Sequence, residues 1–212
     1  MGLLIDIDTS CYESQLRDKR TKLEALLAPY SCPPVTVFPS PPTGYRMRAE
    51  FRLWHQGDDL FYAMFEPAEP RTPVRVDHFP VASERIQAAM PRLLEAVRDK
   101  AELRRKWFQV EFLSTLSGEL LITMIYHRPL GPEWEQAART LEALLDARLI
   151  GRSRKQRVVL SDDYVTETLE VKGKSFSYRQ YEQGFTQPNA RVNQAMLSWA
   201  CDCAAALDGD LL

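Results

Sequence analysis

The sequence predicts an α+β fold of antiparallel hairpins with flanking helices. Residues 45 to 54 alternate apolar and polar side chains with the period-two pattern of a strand. Two further strand-like runs, "WFQVEFLSTL" and "ELLITMIYH", flank a Ser-Gly turn signal. Stretches of helical spacing lie before, between and after these strands, with Ser83 and Pro132 at two of their starts.

In chain order, Ser10-x-x-Glu13 reads as a capping box. It opens a helix carrying Tyr12, Leu16, Leu23, Leu26 and Leu27, which Pro29 ends. Pro29, Pro33, Pro34, Pro39, Pro41 and Pro42 then make an extended arm. In "YRMRAEFRLWH", Tyr45, Met47, Ala49, Phe51 and Leu53 face one way. Arg46, Arg48, Glu50, Arg52 and Trp54 face the other, giving one buried and one largely cationic side. "HQGDD" turns the chain, "LFYAMF" returns, and "PVRVDHF" offers a third strand. The helix after Ser83 carries Ile86, Met90, Leu93, Leu94 and Val97, with a kink or an earlier start expected at Pro91. The Pro132 helix runs to about Ala147. Short strands follow in "LIGRS", "RVVL", "TLEV" and "SFSYRQ", and "FTQPN" opens a last helix through Met196, Trp199 and Leu207. The final Asp-Gly turn and Asp-Leu-Leu read as the approach to a buried strand.

Of the 212 residues 45% are hydrophobic and 26% charged, ordinary values for a chain with a real core. The net charge of −2 gives no global field for nucleic acid, so such a partner needs local patches. No apolar run reaches the roughly 20 residues that cross a bilayer. The first ten residues lack the basic and apolar regions of a signal peptide. Cys11, Cys32, Cys201 and Cys203 have no disulfide-framework spacing and read as free thiols of a cytoplasmic protein. His55, His78 and His127 are scattered, which argues against a metal site.

Two clusters carry chemistry. Arg46, Arg48 and Arg52 share a strand face and could present guanidinium forks to phosphates. The same pattern fits a ladder against cross-strand acids. The run "GRSRKQR" places Arg152, Arg154, Lys155 and Arg157 together with no acid between them, as a phosphate loop or a solvated turn. Trp107 and Phe108 follow another basic run, "RRKWF". An exposed aromatic there would stack on unpaired bases, while the strand pattern by itself reads Phe108 as core.

The segments "YRMRAEFRLWHQGDDL", "RVDHFPVAS", "KWFQVEFLSTL", "LIGRSRKQ" and "YRQYEQGFTQPNARVNQAMLSWA" resemble the bacterial tRNA (uracil-5-)-methyltransferases, from about Tyr12 to the end. Pro91 and Trp107 depart from the family pattern. The resemblance implies methyl transfer from S-adenosyl-L-methionine (SAM) to the 5-carbon of the uridine at position 54 in the tRNA T-loop. It implies a cysteine thiolate that adds to the 6-carbon of a base taken out of its stack, and a base that later removes the proton. It places both groups beyond Leu212, in a parallel-sheet domain whose first strand is the one begun at Asp-Leu-Leu. On this reading 1–42 is an N-terminal helix and arm, 43–180 recognises RNA, and 181–212 enters the SAM-binding domain. Gln187 is implied to contact SAM, Arg52 a phosphate, Phe108 a base and His127 a polar group of the T-arm. Arg48, Arg154 and Lys155 join them as candidate RNA contacts. The alternative reading is a non-catalytic RNA-binding module.

Overall fold

The protein is described by a computed structural model covering residue 5 and residues 7–205. The expected terminal turn and strand, and Leu207, lie outside the described residues.

The first helix, α1 (Tyr12–Leu27), forms where its pattern places it, but its cap differs. The Asp8 carboxylate accepts from the Ser10 N–H at 2.9 Å and from the Ser10 hydroxyl at 2.6 Å. Ser10 is thereby engaged upstream, and Cys11 precedes the helix without a side-chain cap bond. The Ser10–Glu13 capping box is therefore not made. No residue of α1 is buried, so its leucines form no core face among the described residues.

Seven strands build the main sheet: β1 (Arg48–Gln56), β2 (Asp59–Glu66), β3 (Glu69–Arg75), β4 (Trp107–Ser114), β5 (Leu120–Tyr126), β6 (Arg148–Ser153) and β7 (Gln156–Val159). Their order is β3-β2-β1-β4-β5-β6-β7. Every pair is antiparallel, as the expected hairpins require, except β5–β6, which is parallel. Helix α4 (Pro132–Leu145) lies between those two strands and returns the chain in the same direction. β5 suits this central place because Leu120 to Met124 are all buried, as in a strand covered on both faces.

The inner face carries Ala49, Phe51, Leu53, Val110, Phe112, Ile122 and Met124. Helices α2 (Glu84–Val97), α3 (Ala101–Arg104) and α4 pack on it. Ser83 caps α2, its hydroxyl accepting from the Ile86 N–H at 3.3 Å. The helix then runs unbroken through Pro91. On α4, Trp134 stands directly over Gly151 of β6, a position with no room for a side chain.

The outer face is half covered. A hairpin of β8 (Tyr164–Val171) and β9 (Lys174–Tyr181) sets Val165 against Leu113, Leu121 and Ile150. Leu169 and Val171 meet Met47 and Ala190, the latter opening helix α5 (Ala190–Ala205). Buried Glu167 ties the hairpin down by accepting from the Leu116 N–H at 3.0 Å and the Thr168 N–H at 2.9 Å. Burial pushes its carboxyl above the usual glutamate range, and those two N–H groups oppose the shift. The other half of the face, around Arg52, Phe108 and Ile125, has no element over it among the described residues. No described helix is long and apolar enough to cross a membrane.

Candidate nucleic-acid interface

Phe108 reaches the outer face because the β4–β5 ladder shifts at that point. Trp107 pairs with Tyr126 and Gln109 with Ile125, so Phe108 is the extra residue of a β-bulge. Trp107 turns inward and is buried, while Phe108 is half-buried on the other side. The bulge removes Phe108 from the core position that strict alternation would give it.

Arg52, Phe108 and His127 come together as one column. The His127 ring stacks on Phe108 with centroids 3.9 Å apart and planes at 26°. The Arg52 guanidinium carbon lies 4.0 Å from the Phe108 centroid. Arg52 comes from β1 and His127 from the end of β5, on either side of β4, so Phe108 is sandwiched between them. Each cation–π contact of this kind is worth about 0.5–2 kcal/mol. A guanidinium over a ring face keeps N–H groups that a phosphate oxygen can accept from. The free ring face of the column is that of His127, not of Phe108.

The column stands at the mouth of an open cleft of about 840 Å³. Phe108, Ile125, His127, Arg152, Arg154 and Lys155 are among its walls. The "GRSRKQR" segment is a hairpin rather than a loop: Arg152 pairs with Arg157 across β6 and β7, and Arg154 and Lys155 form the turn. The turn residues are exposed and make no salt bridge among the described residues. Arg152 and Arg157 are held instead by buried Glu182, at 3.5 and 3.0 Å, and Arg157 also meets Asp163 at 2.8 Å.

The arginine row of β1 is not a line of free forks. Arg46 donates to the Arg48 carbonyl and Arg48 to the Glu182 carbonyl, at 2.8 and 2.9 Å. Glu50 stands directly opposite Glu111, and Gln109 bridges the two carboxylates at 3.2 and 3.1 Å. Burial first, then Glu50 and Glu182, push the Glu111 carboxyl above the ordinary value of 4.5. A carboxyl raised in the folded state favours folding below its unfolded value, and that contribution is lost as pH rises through its folded value. Glu111→Gln is therefore expected to raise the melting temperature at pH 7 and to flatten the fall in stability above about pH 4.5. Thermal melts between pH 4 and 8 check this; an unchanged profile contradicts it.

A second cleft, of about 570 Å³, lies between α4 and the β4–β5 turn. Its arginines are spent: Arg148 pairs with Glu119 at 2.7 Å and Arg139 with Glu135 at 2.8 Å. Gln187 is exposed and its side chain has no hydrogen-bond partner among the described residues. Asn189 caps α5, accepting from the Val192 N–H at 3.1 Å. The Pro188 carbonyl accepts from Met47 N–H at 2.7 Å, anchoring this segment to the chain entering β1. Arg52 lies five strand residues further on, about 17 Å at ~3.3 Å per residue. The four cysteines are exposed, and none lines the basic cleft. Among the described residues no cluster of His, Cys, Asp or Glu could hold a metal ion.

Comparison with known proteins decides the family. The family model for tRNA (Uracil-5-)-methyltransferase matches residues 11–212. This chain belongs to the tRNA (uracil-5-)-methyltransferase family. A tRNA/tmRNA (uracil-C(5))-methyltransferase of Aromatoleum aromaticum is 53% identical over 97% of this chain and 56% of its own length. That of Chromohalobacter salexigens is 54% identical over 97% of this chain and 57% of its own length. That of Vibrio cholerae is 50% identical over 98% of this chain and 58% of its own length. The chain thus spans a little over half the length of these methyltransferase relatives.

Proposed function

We propose that this chain is the tRNA-gripping part of a SAM-dependent cytoplasmic enzyme that methylates the 5-carbon of the uridine at position 54 in the T-loop. The observation that carries the reading is the Arg52–Phe108–His127 column beside the basic turn Arg154–Lys155. The two parts present a flat π-surface and unpaired cations to one open cleft. A splayed loop offers the matching pair, an unstacked base and its phosphates. His127 supplies the base-facing ring, Phe108 props it from behind, and Arg52 directs N–H groups to a phosphate. Binding here would hold the loop open, as chemistry on a base requires.

SAM, when bound, supplies the methyl group. The described residues give it one candidate contact, the exposed Gln187 amide, which can both donate and accept. Gln187 lines none of the principal clefts among the described residues. Cys11, Cys32, Cys201 and Cys203 stand away from the basic cleft, which supports a nucleophilic thiol supplied by other protein. Exposed Met196, Leu197 and Trp199 on α5 support the same reading, as an apolar surface for further protein to cover.

The 212-residue chain, incubated with SAM and a T-arm hairpin, is expected to bind the RNA and form no 5-methyluridine. Methylated product would overturn the placement of the thiol. Absence of a complex at low salt would overturn the gripping role.

A further inference from the structure

We propose that Arg105 and Lys106 are phosphate contacts, and that the RNA backbone follows the end of the sheet from these residues to the Arg154–Lys155 turn. The inference rests on the RNA-gripping reading above and adds the path of the strand and the residues that hold it.

The topology collects cations at one rim. The start of β4, the end of β5 and the end of β6 are neighbours there, because β4 runs antiparallel to β5 and β5 parallel to β6. The His127 N–H donates to the Lys106 carbonyl at 3.0 Å, so Lys106 sits against the stacking column itself. From β4 to β7 the rim spans three strand spacings, about 14 Å.

The cations along it are not equivalent. Arg104 donates to the carbonyls of Arg98 and Asp58, and Arg128 to those of Arg105, Pro129 and Glu102. Those guanidiniums are consumed in holding the loops. Arg105 and Lys106 are exposed and have no side-chain hydrogen bond or salt bridge among the described residues, as with Arg154 and Lys155. The nearest acid in sequence, Glu102, leaves the pair a net positive charge.

The centre of the outer face has no such spare cations among the described residues. Glu50 and Glu111 oppose one another there, Glu182 pairs with Arg152 and Arg157, and Arg48 donates to the Glu182 carbonyl. Phosphates meet engaged arginines in the middle and unengaged cations at the rim, which favours the rim path over the β1 arginine row. Lys106 also adopts φ 55, a left-handed conformation that suits glycine better than lysine.

That backbone gives a clean test. Lys106→Gly removes the charge while relaxing the main chain, so its melting temperature is expected to equal or exceed that of the unsubstituted chain. Its affinity for a T-arm hairpin, measured by fluorescence anisotropy from 50 to 300 mM salt, should fall. The slope of log K against log salt should shrink by roughly 0.7–0.9, one phosphate contact. Arg105→Gln should do the same, and both should weaken plain duplex RNA in proportion, because phosphates carry no sequence. A slope and affinity unchanged in both variants, while the unsubstituted chain binds, overturns this inference alone. An unsubstituted chain that binds no hairpin overturns the gripping role with it.

Discussion

Phe108→Ala is expected to weaken binding of a T-loop hairpin by about 5- to 150-fold, the range for losing one stacked base. Truncation removes the spacer between Arg52 and His127, now 4.0 and 3.9 Å from its ring. The His127 ring loses its backing, and the guanidinium loses the surface that fixes its plane. Affinity for a duplex without a loop should change little, since Arg154 and Lys155 remain. Phe108→Leu keeps apolar volume without a flat ring and should behave like the alanine variant on the hairpin. Equal losses on hairpin and duplex, with a lowered melting temperature, would mean the residue serves folding alone. Anisotropy titrations with both RNAs decide between these outcomes.

Gly151→Ala is expected to be the most damaging single-methyl addition. A Cβ at 151 would come within 2.3 and 2.6 Å of Trp134 ring atoms and 2.7 Å of Leu130. Those neighbours are buried between α4 and the inner face, so the ring cannot swing into solvent. Overpacking of this kind costs about 1–3 kcal/mol, or roughly 2–12 °C of melting temperature for a chain of this size. Trp134→Leu should be destabilising by itself, yet the double variant should lose less than the sum, because the leucine vacates the space. Strict additivity would show that the two residues do not meet. The functional consequence follows from position: Arg152 is the next residue, so a displaced β6 moves a wall of the basic cleft.

Much of the fold was legible because its signals are local. The alternation from Tyr45 to Trp54 needs only period two, and β1 buries Ala49, Phe51 and Leu53 accordingly. Ser83 and Pro132 mark their helices through capping and a fixed φ, which depend on a few neighbouring residues. The parallel β5–β6 pair is a long-range fact, although the unbroken apolar run of β5 and the helix after it hinted at a strand buried on both faces. At the N-terminus Asp8 competed for Ser10 and won, since a carboxylate accepts from both the N–H and the hydroxyl.

The candidate site divides along the same line. Family likeness named Arg52, Phe108 and His127, and the fold brings them into one column. Strand pattern alone would have left Phe108 in the core, because a bulge shows only against its partner strand. Spacing suggested phosphate forks along β1, but Glu182, 134 residues beyond Arg48, takes that guanidinium through its carbonyl. Similarly, Arg152 and Arg157 looked free of acids because Glu182 and Asp163 are local only in three dimensions. Arg105 and Lys106 escaped notice as the opening of a strand, and the basic run in "RRKWF" was their only signal in the sequence.

The most direct measurement is a salt titration of the unsubstituted 212-residue chain against two RNAs of equal length, a T-arm hairpin and a blunt duplex. Tighter binding of the hairpin at every salt concentration, with both affinities falling steeply as salt rises, is the predicted result. Equal affinities for the two, or a hairpin affinity indifferent to salt, would contradict a grip built from one stacking column and a basic rim.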